Sequence, residues 1–195
     1  VYADDPQRGY LPTGGEIRLW RPGLDARVDS GVTTGDRVTS FYDPMLAKVI
    51  VHAQTRDEAI SGLQRALRET VCLGVTTNID DLADLLDDER VRSGDMDTSL
   101  LDGRVPLEVE PSAETIAGAS IALAPSARDS LWAAGDSWRL GGVAEQRWDV
   151  SGRDVALTVG NDGVSVRIDG RDIAPGSVDA AEFDGDLLWL HADGR

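Results

Sequence analysis

Hydrophobic and polar positions in the first half of the chain follow the period of β-strands. The most prominent apolar run covers residues 45–51 and is interrupted only by Lys48, the single lysine of the chain. A run of this length, rich in β-branched side chains and preceded by the turn residue Pro44, is typical of a strand that is buried on both faces. Shorter alternating segments at residues 16–20 and 26–32 precede it. Together they predict an antiparallel β unit over residues 1–50.

The spacing of apolar residues becomes helical after residue 54. Thr55 is the predicted N-cap of a first helix, with Glu58 as its partner in a capping box. The apolar face of this helix is Ala59, Ile60, Leu63, Ala66, Leu67 and Val71. A second helix is predicted from Ile79 to about Val91. Its acidic residues lack the spacing of an EF-hand loop and are interpreted as a solvated face. They are Asp80, Asp81, Asp84, Asp87 and Asp88.

The composition shifts towards Pro, Ala, Ser and Glu between residues 102 and 125, which indicates a domain boundary. Residues 112–123 predict a helix capped by Ser112. Residues 103–111 predict an exposed linker that trypsin would cut at Arg104. Short β segments separated by Asp-Gly turns follow, a pattern that favours a small antiparallel barrel or sandwich. The tryptophans expected in its core are Trp132, Trp138, Trp148 and Trp189.

The predicted fold class is therefore α+β, in three parts. Residues 1–103 are expected to form an antiparallel sheet with two helices. Residues 104–128 are expected to be a linker and a helix, and residues 129–195 an incomplete, barrel-like antiparallel domain. Val1 lies in what looks like the middle of a strand, and the chain stops just after another strand. The sequence is therefore interpreted as a piece of a longer polypeptide.

Charge and cysteine content narrow the functional classes. The chain carries 35 acidic and 19 basic residues, a formal net charge of −16. This charge argues against nucleic acid or an anionic membrane as a partner, and no apolar run approaches the length of a membrane span. A single cysteine, Cys72, excludes a disulfide framework and favours a cytoplasmic location. With only two histidines, far apart in sequence, no metal site is predicted.

The residues alone offer no complete active site, because phosphate-binding glycine motifs and nucleophile–base sets are absent from the sequence. Arg27 is the one candidate. It lies between two predicted turns and is followed by Asp29. A guanidinium held in a turn can clamp an oxyanion or a phosphate through two parallel hydrogen bonds. It can equally form a surface ion pair with Asp29. The sequence pattern leaves both interpretations open.

Several motifs, in the same order, resemble the C-terminal third of biotin carboxylase. They are residues 2–6 (YADDP), Leu11-Pro12 with Gly14 and Gly15, residues 27–32 (RVDSGV), residues 42–50 (YDPMLAKVI), Arg56 with Glu58-Ala59, residues 74–78 (GVTTN), and Gly94 with Asp97-Thr98. The combination of YDPMLAKVI with GVTTN is the most specific signal. Residues 136–142 (DSWRLGG) resemble the start of the domain that docks an acyl-CoA carboxylase α subunit onto its β (carboxyltransferase) subunit.

The resemblance implies a fragment of an acyl-CoA carboxylase α subunit of the 3-methylcrotonyl-, propionyl- or acetyl-CoA type. In such enzymes ATP activates bicarbonate, biotin is carboxylated, and the carboxyl group passes to an acyl-CoA on the β subunit. Arg27 then matches the family arginine that holds the enolate-like oxygen of biotin, so the resemblance makes it both catalytic and biotin-binding. Biotin, ATP and Mg²⁺ are the implied cofactors.

The implied partners lie outside this chain. They are an ATP-grasp domain, a biotin carrier domain and the β subunit, so the fragment alone is expected to be inactive. The loop before Arg27, residues 22–26, is shorter and poorer in glycine than the family pattern PxGPGVR, and it resembles that of urea carboxylases. Two alternatives therefore stay open: a urea carboxylase-type enzyme, and a non-catalytic module for subunit assembly.

Overall fold

The computed structural model describes residues 1–106, 110–122, 144–150, 152–160, 163–178, 180–184 and 187–192. The chain divides into two compact units. The first comprises residues 1–109 and 184–195, and the second comprises residues 110–183. No helix among the described residues is both long enough and apolar enough to cross a membrane.

Short antiparallel strand pairs and helices build the first unit. Its strands are β1 (Asp4–Asp5), β2 (Leu11–Pro12), β3 (Gly15–Glu16), β4 (Leu19–Arg21), β5 (Arg27–Ser30), β6 (Arg37–Val38), β7 (Ala47–Ile50) and β8 (Val71–Leu73). The strands pair as β1–β2, β3–β6, β4–β8 and β5–β7. Its helices are α1 (Arg56–Glu69), α2 (Ile79–Leu85) and α3 (Glu89–Ser93), with 3₁₀ turns at Pro6–Arg8 and Thr98–Leu101.

Helix α1 begins where the sequence predicts it. The Thr55 hydroxyl accepts a hydrogen bond from the Glu58 amide at 3.2 Å, and the Glu58 carboxylate accepts one from the Thr55 amide at 3.3 Å. This reciprocal pair is the predicted capping box, and it satisfies two backbone donors at the start of the helix. The predicted face is confirmed up to Leu67, whereas Val71 belongs to strand β8.

Two apolar clusters form the core of the first unit. In one cluster, the buried side chains of the strands and loops pack together: Ala3, Ile17, Leu46 and Val75. In the other, α1 packs on α2 through Leu67, Ile79 and Ala83. Removing these side chains from water stabilises the sheets, each of which is too small to be stable alone.

Strand β7 differs from the prediction. The prediction of a strand buried on both faces is wrong, because Ala47 is buried whereas Lys48 and Ile50 are exposed. The reason is that, among the strands of the described part of the chain, β5 is the partner of β7 in a two-stranded sheet, and α1 contacts β7. A two-stranded sheet that is covered on one face leaves alternate side chains in solvent.

The predicted second helix is two helices. Helix α2 ends at Leu85, and α3 begins at Glu89 after the extended residue Asp88. The Asp88 carboxylate accepts a hydrogen bond from the Arg90 amide at 2.8 Å and caps α3. An aspartate that caps a new helix competes with continuation of the preceding one. This competition accounts for the break.

The second unit combines a helix with a four-stranded sheet. Helix α4 (Ala113–Ala122) is followed by β9 (Ala144–Val150), β10 (Arg153–Gly160), β11 (Gly163–Ile168) and β12 (Arg171–Ile173), which lie in the order β12-β11-β10-β9. Strands β13 (Ala180–Asp184) and β14 (Leu187–His191) come next along the chain. The buried core joins α4 to the sheet through Ile116, Ala117, Val155, Leu157, Val166 and Ile168.

The predicted helix cap, a predicted hairpin turn and a predicted core tryptophan of the second unit are confirmed in the described residues. The Ser112 hydroxyl accepts a hydrogen bond from the Thr115 amide at 3.1 Å, as its predicted capping role requires. Asp169 and Gly170 both have positive φ and join β11 to β12 in a two-residue hairpin turn. Trp148 packs against the core as predicted. Trp132, Trp138 and the Trp189 side chain lie outside the described residues.

The barrel itself is not confirmed. Over the described part of the chain, the sheet formed by β9 to β12 is open, since β12 and β9 are its two edges. The combination of helices with antiparallel strands agrees with the predicted α+β class. The predicted domain boundaries stay a prediction.

Candidate functional site

The strand pair β5–β7 carries the candidate arginine. Arg27 lies opposite Ile50, and Asp29 lies opposite Lys48. Directly opposed residues of an antiparallel pair share a face, and so do residues two apart along one strand. These four side chains therefore project from one face of the pair, and it is the exposed face.

Arg27 and Asp29 form a bidentate ion pair on this face. Arg27 Nε donates to Asp29 Oδ1 at 2.9 Å, and Nη2 donates to Oδ2 at 3.0 Å. The side chains are 73% and 48% exposed. The hydrogen bonds from Arg27 hold the pKa of Asp29 below its usual range, and the charge of Lys48 acts in the same direction. Both members of the pair are therefore charged at neutral pH.

The loop before Arg27 is anchored on the C-terminal end of α1. The Gly23 amide donates to the Thr70 hydroxyl at 3.0 Å, and that hydroxyl donates to the Ala66 carbonyl at 2.7 Å. A Cβ atom on Gly23 would lie less than 3.0 Å from the Ala66 carbonyl oxygen. Glycine is therefore required where this loop touches the helix. Sequence reasoning missed this contact, which ties the position of Arg27 to α1.

A surface cleft of about 550 Å³ lies at the same end of the strand pair. It is lined by Asp25, Val51, His52, Ala53, Asp57, Glu58, Ser61, Gly62 and Arg65, and Arg27 does not line it. Three carboxylates face one guanidinium in this lining. A surface with that charge balance disfavours polyphosphates such as ATP.

The GVTTN motif has a structural role in the first unit. Gly74 has a φ of 102°, and a Cβ atom there would lie less than 3.0 Å from the Glu16 carbonyl oxygen. Asn78 is buried, and its Oδ1 accepts a hydrogen bond from the Tyr2 amide at 2.9 Å. The motif therefore fastens the start of α2 to the β-strand region, through the close backbone approach at Gly74 and the hydrogen bond of Asn78.

Arg56, another residue of the resemblance, caps a helix end. Its Nε donates to the Val91 carbonyl at 3.1 Å and to the Arg92 carbonyl at 3.0 Å. A cation at the C-terminus of a helix satisfies carbonyl groups that have no partner within the helix. Arg56 therefore joins α1 to α3 and contributes to packing.

The interpretation of the acidic residues of α2 as a solvated face is wrong for Asp81. Asp81 is only 5% exposed. Its carboxylate pairs with Arg104 and accepts a hydrogen bond from the Tyr10 hydroxyl at 2.9 Å. Residues 103–111 are predicted to be an exposed linker, but the side chain of Arg104 is only 14% exposed. Helical periodicity placed Asp81 on the polar face and gave no signal for a partner 23 residues away.

The described residues hold no group of three or more His, Cys, Asp or Glu side chains that could bind a metal ion. Burial raises the pKa of the Cys72 thiol to about 12, so it is protonated at neutral pH. A protonated thiol is a poor nucleophile. Among the described residues, Arg27 is therefore the candidate functional side chain.

Residues 1–103 match the family model of the biotin carboxylase C-terminal domain. The chain belongs to this family. The resemblance seen in the sequence is thereby confirmed for the first 103 residues, in which the YDPMLAKVI and GVTTN motifs lie. The biotin carboxylase C-terminal domain thus corresponds to most of the first unit.

Relatives of known function match the same region. Biotin carboxylase 1 of Bacillus subtilis is 40% identical over 104 residues, which cover 52% of this chain and 23% of the relative. The mitochondrial propionyl-CoA carboxylase α chain of Caenorhabditis briggsae is 38% identical over 105 residues, covering 52% and 14%. The chain thus spans less than a quarter of the length of these curated relatives.

A solved structure gives a similar result. The Kluyveromyces lactis urea carboxylase is 35% identical, with a TM-score of 0.51, and the match covers 56% of this chain and 10% of that protein. The biotin carboxylase C-terminal domain therefore occurs in relatives whose names refer to different carboxyl acceptors.

Proposed function

We propose that this chain is part of a biotin-dependent acyl-CoA carboxylase α subunit. In the proposed reaction, ATP and bicarbonate carboxylate biotin on a carrier domain, and a β subunit then transfers the carboxyl group to an acyl-CoA. The observation that carries the proposal is the family match over residues 1–103, together with the similarity to a propionyl-CoA carboxylase α chain. The whole enzyme would be a ligase, and this chain would supply the C-terminal part of its biotin carboxylase region.

In the proposed enzyme, ATP and Mg²⁺ are bound mainly by an ATP-grasp domain outside this chain. Three features of the chain support a nucleotide site that lies mainly outside it. The chain has one lysine and a net charge of −16, and the lining of its cleft holds three carboxylates and one guanidinium. Phosphoryl transfer needs cationic groups and Mg²⁺ ligands that converge on the phosphates. Biotin, ATP and Mg²⁺ are thus cofactors of the whole enzyme.

The isolated chain is therefore expected to be inert towards ATP. Calorimetry with MgATP up to millimolar concentration is expected to show no saturable binding. A phosphate-release assay with bicarbonate and free biotin is expected to give the rate of the buffer control. Saturable binding or turnover by these 195 residues would place a nucleotide site within the chain and would overturn the proposal.

The proposal gives Arg27 contact with the ureido oxygen of biotin. Asp29 accepts hydrogen bonds from Nε and Nη2 of the guanidinium, which leaves both Nη1–H groups and the second Nη2–H as donors towards a ligand oxygen. A donor that stabilises charge developing on an oxygen acts mainly in the transition state. The bidentate pair with Asp29 would orient the guanidinium for that contact.

Replacement of Arg27 by alanine in the longer polypeptide is expected to lower biotin carboxylation by about 100-fold or more, as loss of an oxyanion partner does. The melting temperature is expected to stay unchanged, because exposed ion pairs contribute little to stability. Arg92→Ala is the matched control, since Arg92 forms an exposed pair with Asp87. Near-normal turnover by a folded Arg27→Ala variant would contradict a role for Arg27 in carboxylation.

The proposed partners are an ATP-grasp domain and a biotin carrier domain of the same polypeptide, and a carboxyltransferase β subunit. Phe41 and Tyr42 are adjacent in sequence, and they are 93% and 88% exposed. Neighbouring exposed apolar side chains support a covering partner, because exposed apolar patches mark interaction surfaces. Residues 129–195 are the proposed docking domain for the β subunit, joined through residues 104–128.

A urea carboxylase-type enzyme is the second candidate, and the similarity to the K. lactis urea carboxylase favours it. The two candidates differ in the acceptor. Carboxylation by the whole polypeptide together with its β subunit, with either urea or a panel of acyl-CoA thioesters added, distinguishes them. Transfer to neither acceptor, with no carboxylation of biotin, would favour a non-catalytic assembly module.

A further inference from the structure

Arg104 lies one residue beyond the family match and binds two carboxylates of α2. Its Nη1 donates to Asp81 Oδ1, and its Nη2 donates to Asp84 Oδ2 at 2.5 Å. The Tyr10 hydroxyl donates to the other oxygen of Asp81 at 2.9 Å. Asp81 is thereby held from both sides, by a residue before α2 and by a residue after the matched domain.

A second contact fastens the same segment. Gln7 Nε2 donates to the Pro106 carbonyl at 3.4 Å, and the Arg104 amide donates to the Leu101 carbonyl at 3.3 Å. We call residues 104–106 the strap. It is bound through a guanidinium and a backbone carbonyl, and all of its partners belong to the first unit.

Burial makes the arginine important for folding. Asp81 is 5% exposed, and a buried carboxylate that loses its cationic partner is strongly unfavourable. Asp4 interacts with the same carboxylate: burial raises the pKa of Asp4, the N-terminal ammonium lowers it, and the charge of Asp81 raises it. Arg104 is the guanidinium that pairs with Asp81 and Asp84.

We propose that the strap is a structural part of the carboxylase unit and that its ion pair with Asp81 and Asp84 fixes where the chain leaves this unit. The folded unit then includes the strap and extends beyond the family boundary at residue 103. The ion pair also holds back the Arg104 side chain, which is 14% exposed and which trypsin must bind to cleave the bond after it. This proposal is independent of the catalytic function.

Limited trypsin digestion of the full chain tests the strap directly. In the wild-type protein, cleavage after Arg104 is expected to be slow, because cleavage requires the ordered segment to open. In the Asp81→Asn/Asp84→Asn variant, cleavage at this bond is expected to be about 10-fold faster or more, in line with the loss of a charge-assisted pair. Asp87→Asn is the matched control, because Asp87 forms an exposed pair with Arg92. Equal rates in all three proteins would overturn the proposal.

A double-mutant cycle tests the energetic coupling. Arg104→Gln is expected to lower the melting temperature of the first unit by about 5 °C or more, since it leaves Asp81 buried without a cation. In the Asp81→Asn background, the same substitution is expected to have a much smaller effect, because the buried charge is gone. Strictly additive effects would overturn the proposal, and the double variant provides this comparison even where Arg104→Gln alone unfolds the unit.

Discussion

Replacement of Gly74 by alanine is expected to lower the free energy of unfolding of the first unit by about 3 kcal/mol or more. Two effects combine at this position. The φ of 102° is a left-handed conformation that alanine adopts only with strain. A Cβ atom would also lie less than 3.0 Å from the Glu16 carbonyl oxygen, and a backbone atom of a paired strand region cannot move as a flexible side chain does.

Comparison with Gly35→Ala separates the backbone strain from the close contact of the added Cβ atom. Gly35 has a similar φ of 92°, but a Cβ atom there would meet nothing within 4 Å. Its replacement therefore tests the backbone strain alone, which costs about 1–2 kcal/mol. Urea unfolding of both variants, followed by circular dichroism, gives the comparison. Equal destabilisation by the two substitutions would contradict the close approach of Gly74 to Glu16.

Features that depend on a few neighbouring residues could be predicted from the sequence. The capping box of Thr55 and Glu58 and the hairpin turn at Asp169-Gly170 are of this kind. Each is specified by side-chain chemistry and backbone preference within four residues. The motifs of residues 42–50 and 74–78 could also be recognised, and the family match covers them.

Features that depend on tertiary neighbours could not be predicted. An apolar run does not reveal that β7 belongs to a two-stranded sheet with β5, so its exposed face was missed. The helical period placed Asp81 among solvated acids, although Arg104 and Tyr10 enclose it. In both cases the deciding contact comes from a segment that is distant in sequence.

In the candidate site, too, contacts between neighbouring residues could be predicted, whereas contacts between distant segments could not. The pair of Arg27 and Asp29 could be anticipated, because residues two apart on a strand share a face. The anchor of the preceding loop, from Gly23 to Thr70, spans 47 residues and has no local signature. A contact between Arg27 and biotin requires groups beyond this chain and stays a prediction.

Grafting residues 1–106 into a relative is expected to have the largest effect on activity. Biotin carboxylase 1 of B. subtilis without the segment that matches this chain is expected to be inactive, because the match covers 23% of that protein. The graft includes Arg104, so that Asp81 keeps its cation. If these residues are a working biotin carboxylase C-terminal domain, they should restore the missing packing surface and with it the catalytic geometry. The same graft carrying Gly74→Ala is the control for correct folding.

The rate of ATP- and bicarbonate-dependent carboxylation of free biotin by this chimera is the most direct measurement. We expect a rate within about 10-fold of the parent enzyme, which corresponds to a change in barrier of less than ~1.4 kcal/mol. We expect the truncated parent to give no carboxybiotin. A chimera that folds and binds MgATP but forms no carboxybiotin would contradict a catalytic role for this chain in a biotin-dependent carboxylase.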